Sequence, residues 1–129
     1  MKKIAMITLM VFLGSLFAIA QNQAEIKFDK STYNIGTFSE ETPVQKITFT
    51  FTNVGSAPLV INQVVASCGC AVPKYDKRPI PPGQKSTLEI VYNGQGKFPG
   101  HFKKSITVRT NGKTEMTRLY IEGIMEAKK

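Results

Sequence analysis

Across residues 45–52 the chain alternates Ile47, Phe49 and Phe51 with Thr48, Thr50 and Thr52. A period of two places the apolar set on one face of a β-strand and the hydroxyls on the other, so one face is buried and the other wet. The same rhythm predicts a strand over residues 86–92, with Leu88, Ile90 and Tyr92 inward. It predicts another over residues 102–110, with Phe102, Ile106 and Val108 on one face, and a final strand over residues 116–125. Residues 59–66 are apolar on both faces, which predicts a more central strand. Residues 24–28 open the ordered part with Ile26 and Phe28 on one face, and Tyr33, Ile35 and Thr37 continue in an extended stretch that Gly36 interrupts.

Turn residues separate these segments. Gly55-Ser56-Ala57-Pro58 reverses the chain, and residues 67–71 break the strand before them. Pro79, Pro81, Pro82 and Gly83 make a stiff loop. Pro82-Gly83 suits the middle of a type II turn, where proline fixes φ and glycine accepts φ > 0. Residues 93–100 form a glycine-rich loop, and Asn111-Gly112 predicts a type I′ hairpin turn. Seven or eight mainly antiparallel strands at this spacing describe a β-sandwich.

The first twenty residues follow a different pattern. Lys2 and Lys3 precede a run from Ile4 to Leu13 that is apolar except for Thr8, and Ala18-Ile19-Ala20 supplies a small-x-small cleavage site. This order predicts a secretory signal peptide over residues 1–20 and an exported chain, periplasmic or secreted, beginning at Gln21. A retained membrane anchor is the competing reading, because the apolar stretch nearly reaches spanning length. No cysteine follows the leader to carry a lipid.

Composition supports the fold. After the leader there are 28 Val, Ile and Thr residues against 8 Ala and Leu. Branched side chains lose rotamer freedom in helices and pack well on a pleated surface. The 129-residue chain carries a formal charge of +8, and loss of Lys2 and Lys3 leaves +6. That balance invites nucleic acid as a partner. Yet the aromatic residues sit at alternating inward positions and the leader sends the chain elsewhere, so the lysines read as a solvated face.

Few residues can carry chemistry. One histidine cannot assemble a Ser/His/Asp set. Gly94-Gln95-Gly96 precedes a strand, whereas a phosphate cradle needs a following helix. Glu40-Glu41 reads as an exposed loop pair. Cys68-Gly69-Cys70 is the one chemical motif, and three readings compete. The two cysteines pair as a disulfide in an oxidising compartment. They remain thiols and bind a soft cation such as Cu(I), or serve thiol redox chemistry. Or they are two small residues packed at a strand end.

Several segments together resemble a known bacterial family. They are Ser67-Cys68-Gly69-Cys70, Tyr33-Asn34-Ile35-Gly36-Thr37-Phe38, Phe51-Thr52-Asn53-Val54-Gly55, Pro58-Leu59-Val60-Ile61, Pro82-Gly83 and Gly123. The family is the exported domain of unknown function numbered fifteen seventy-three, and the likeness spans roughly residues 30–125. It implies an immunoglobulin-like β-sandwich, similar to pilus-chaperone-like and ASH/Hydin-type modules. The family usually has threonine after the second cysteine, and Ala71 stands there in this chain. It carries no established activity.

The expected organisation is a signal peptide over 1–20, a lead-in strand over 21–29, an immunoglobulin-like domain over 30–125 and a charged tail over 126–129. The expected function is non-enzymatic: contact with an envelope protein, without nucleic acid, resident cofactor or membrane association beyond the leader. The candidate surface joins residues 68–72, 74–82 and 94–100 at one end of the sandwich. An immunoglobulin-like order pairs residues 59–66 with 102–110, and those with 116–125. That arrangement would bring Cys68 and Cys70 toward His101 and Met125, a soft-cation ligand set and the basis of a copper alternative.

Overall fold

A computed structural model of the protein describes residues 22–128, so the leader and its cleavage site lie outside the described residues. Eight strands follow in order: β1 (Ile26–Phe28), β2 (Thr32–Ser39), β3 (Val44–Asn53), β4 (Ile61–Ala66), β5 (Ala71–Tyr75), β6 (Lys85–Asn93), β7 (Gly100–Thr110) and β8 (Met116–Glu126). They form two four-stranded sheets, ordered β1-β3-β6-β5 and β2-β8-β7-β4. Every pairing is antiparallel except β2 with β8, which is parallel. The described residues contain no helix. This is the expected immunoglobulin-like all-β sandwich.

The core is built by the predicted alternation. Ile47, Phe49 and Phe51 of β3 and Leu88, Ile90 and Tyr92 of β6 are buried from one sheet; Ile106 and Val108 of β7 and Leu119 and Ile121 of β8 are buried from the other. Tyr33 packs edge-on to Phe49 across the sandwich, with ring centroids 6.1 Å apart. Tyr92 stacks on Phe102 at 4.5 Å with the ring planes 7° apart. The lead-in segment is integral to the core, because Ala24 and Ile26 are both buried. At the other end Glu126 belongs to β8 rather than to a tail.

Four expectations are corrected. Residues 59–66 do not form a central strand: β4 starts at Ile61, pairs with β7 alone and is a sheet edge. Leu59 is buried by a bridge to Ile80 and Val65 faces solvent, so apolarity on both faces did not mean two neighbours. Second, residues 71–75, to which the sequence pattern assigns no strand, form β5 with Pro73 inside it. The Asn93 N–H donates to the Cys70 carbonyl at 2.7 Å, which fixes the alternation. Residues 70, 72 and 74 then face β6, and Pro73 turns its donorless nitrogen to the open edge, where no ladder bond is lost.

Third, Asn111-Gly112 is not a type I′ turn, because neither residue has positive φ. A wider loop is closed by the Thr110 N–H to the Glu115 carbonyl at 2.9 Å. Its shape is set by distant partners: Asn111 Oδ1 accepts from the Val60 N–H at 2.8 Å and Asn111 Nδ2 donates to the Pro58 carbonyl at 3.1 Å. Fourth, the proline loop lies at the end of the sandwich away from the cysteines, where Ile80 bridges Leu59 and the Gly83 N–H donates to the Asn53 carbonyl at 2.7 Å. The Pro82-Gly83 turn itself is as expected. Gly83 has φ +82° and the Gln84 N–H donates to the Pro81 carbonyl at 3.1 Å.

Candidate functional site

Three connections gather at the end of the sandwich opposite the proline loop. Residues 67–70 cross from β4 in one sheet to β5 in the other, residues 94–99 join β6 to β7, and residues 40–43 join β2 to β3. The Gly94 N–H donates to the Pro43 carbonyl at 2.9 Å and ties the last two together. The Asn93 N–H bond to the Cys70 carbonyl ties the first to the second.

Cys68 and Cys70 are joined as a disulfide. The cystine spans two residues, and the backbone on each side of it is held. The Ser67 N–H donates to the Ser105 carbonyl at 2.8 Å, and the Ser105 N–H donates to Ser67 Oγ at 3.2 Å. Past the cystine, β5 enters its ladder with β6. Cys70 packs against the core cluster; Cys68 does not. Gly69 is exposed, and a methyl group in its place would meet nothing.

The predicted soft-cation set is not assembled. Met125 lies opposite Gly100 and is buried toward the core, where its Sδ would stand 2.9 Å from a Cβ at Gly94. His101 is opposite Ile124, one residue out of phase, and its side chain is 64% exposed. It faces solvent, with Nε2 3.8 Å from Glu122 Oε2. Successive residues of a strand point to opposite faces, so the imidazole and the thioether lie on opposite sides of one sheet. Among the described residues no group of three or more His, Cys, Asp or Glu is placed to hold a metal.

Two features of this end were not singled out from sequence. Phe98, in the loop 94–99, is 96% exposed. Its signal was present: a large apolar side chain between Lys97 and Pro99, outside any alternating segment. The second is the free edge of β4. The Ser67–Ser105 hydrogen bond sets the alternation with β7, so Val64 and Ala66 turn their main-chain groups outward. No charged side chain guards this edge. Burial also acts here on Tyr92, whose phenol is pushed up from its usual pKa.

Residues 26–125 match the family described as a protein of unknown function, DUF1573. The chain belongs to that family. No curated protein sequence matches this DUF1573 chain. Among solved structures it is similar to a protein of unknown function from Porphyromonas gingivalis W83, with a TM-score of 0.68 and 16% identity over 84% of this chain and 50% of that one. The chain therefore spans about half the length of that protein. The ASH/PapD-like domain 7 of human CEP192 gives a TM-score of 0.63 at 8% identity, over 83% of this chain and 89% of that one. The E. coli chaperone DraB gives 0.55 at 15% identity, over 81% of this chain and 55% of that one. At these identities the likeness shows the fold alone.

Proposed function

We propose that the protein is a non-enzymatic, exported β-sandwich module that binds another protein of the cell envelope through its cystine end. The observation that carries this reading is Phe98, a phenylalanine 96% exposed in a glycine-flanked loop. An aromatic ring left in water forgoes its burial free energy, and a rigid aromatic is the commonest kind of anchor at a protein interface. The free main-chain groups of Val64 and Ala66 lie along the strand that ends at the same cystine, and an extended partner segment could add to them. The apolar leader over residues 4–20 and the cystine both suit an oxidising compartment outside the cytoplasm.

Phe98→Ala tests it. The variant keeps the circular dichroism and melting temperature of the parent, since the ring has no packing to lose. Recovery of envelope protein on the immobilised variant falls by about tenfold or more, as for loss of an interface anchor. Equal recovery by both proteins places the contact elsewhere.

A further inference from the structure

We propose that Cys68–Cys70 is a thiol–disulfide exchange site that oxidises a dithiol segment of another protein, with Cys68 as the sulfur attacked and Cys70 as the leaving sulfur. Four observations lead there. The bridge spans two residues, so it closes a ring of eleven atoms counted through Gly69. A loop so short removes little entropy from the reduced chain, and bridges of this kind are the readily reduced ones. The cystine is reachable: Cys68 and Cys70 are both half-buried rather than enclosed, and Gly69 between them is exposed.

The two sulfurs are unequal. Cys70 packs on the core and its carbonyl is held by Asn93, while Cys68 is outside the core cluster and follows the exposed Ser67. Both are half-buried, so the difference that favours attack at Cys68 is the packing of Cys70 on the core. Finally, the backbone flanking the bridge is anchored independently of it, by the Ser67–Ser105 bonds on one side and the β5–β6 ladder on the other. Reduction leaves those bonds in place, so the motif can cycle within a folded sandwich.

The step balances. A thiolate of the partner attacks Cys68 Sγ; a partner–Cys68 disulfide forms as the Cys68–Cys70 bond breaks, and the bonding pair leaves on Cys70 Sγ, which takes a proton. The partner's second thiolate then attacks the partner sulfur of that mixed disulfide and releases Cys68 as a thiolate, which is protonated in turn. Two electrons and two protons pass from the partner dithiol to the cystine. The partner gains one disulfide and each protein molecule delivers one oxidising equivalent.

The test uses the exported chain without its leader and contains no envelope protein, so its failure leaves the Phe98 contact standing. In glutathione buffers the cystine is expected to be reduced with an equilibrium constant about a hundredfold or more above that of ordinary structural bridges. A synthetic peptide with two cysteines is expected to be oxidised one for one. Cys70→Ser, given a one-cysteine peptide activated as its disulfide with thionitrobenzoate, forms a mixed disulfide at Cys68 and releases one thionitrobenzoate, and Cys68→Ser forms one at Cys70 about tenfold more slowly, in proportion to access. Should either variant fail to fold, the reduced parent treated with limiting iodoacetamide labels Cys68 first. A bridge that only excess dithiothreitol opens, or labelling that is equal or favours Cys70, overturns the proposal.

Discussion

Asn53 is fully buried, yet none of its polar atoms is stranded. Its Oδ1 accepts from the Glu25 N–H at 3.3 Å and the Gly55 N–H at 3.0 Å, and its Nδ2 donates to the carbonyls of Ala57 at 2.8 Å and Ile80 at 2.9 Å. One amide thus holds the N-terminal segment, the turn after β3 and the proline loop to the end of a core strand. Only an amide can accept from two donors and donate to two acceptors at once. Asn53→Ala leaves three main-chain groups unpaired at about 1 kcal/mol each, because the Ile80 carbonyl still accepts from the Leu59 N–H at 2.9 Å, so a loss of about 3 kcal/mol is expected in urea unfolding. Asn53→Asp does not rescue it, because a carboxylate cannot serve the two carbonyls. A loss below about 1 kcal/mol would mean that water replaces the network. From sequence Asn53 was visible only as a polar residue after an alternating strand; its partners lie up to 28 residues away and no local pattern announces them.

At the scale of elements, strands whose buried faces repeat with period two were legible, and those shaped by one neighbour or one odd residue were not. β3, β6, β7 and β8 extend their expected ranges by one or two residues at most at each end. β5 was hidden because proline usually ends a strand; its outward-facing nitrogen at an edge removes the objection. β1 is the element most exposed to a single substitution. Gly55 lies against its approach: a Cβ there would stand 2.6 Å from the Ala24 carbonyl carbon and would overlap the Gln23 carbonyl oxygen. Across the same contact the Val54 N–H donates to the Glu25 carbonyl at 2.8 Å and the Ser56 N–H to the Gln23 carbonyl at 2.9 Å. Gly55→Ala must push the two backbones apart and break both bonds, a cost of about 2–4 kcal/mol. Amide exchange should localise it: protection is lost at Ile26–Phe28 and kept in β7 and β8. Unchanged protection at β1 would show that the segment shifts without letting go.

For the whole molecule, the order β4-β7-β8 followed from an immunoglobulin-like arrangement, and it set all four candidate soft-cation ligands near one end. What it could not set was phase. Pairing Gly100 with Met125 sends His101 to the opposite face, and a shift of one residue would have reversed that. The same tight packing makes global stability depend on pH through one ring. Tyr92 is buried and stacked on Phe102, and desolvation raises its phenol above the usual 10.0. In the unfolded chain the phenol loses its proton near that usual value; in the folded chain it keeps it to higher pH. Stability from this group is therefore complete below pH 10 and falls as pH rises through the folded pKa, by up to about 1.4 kcal/mol per pH unit. Tyr92→Phe keeps the stacked ring and removes the titrating proton. Urea midpoints at pH 9 and pH 11 should fall more steeply for the parent than for the variant, and equal slopes would assign the alkaline loss to other groups.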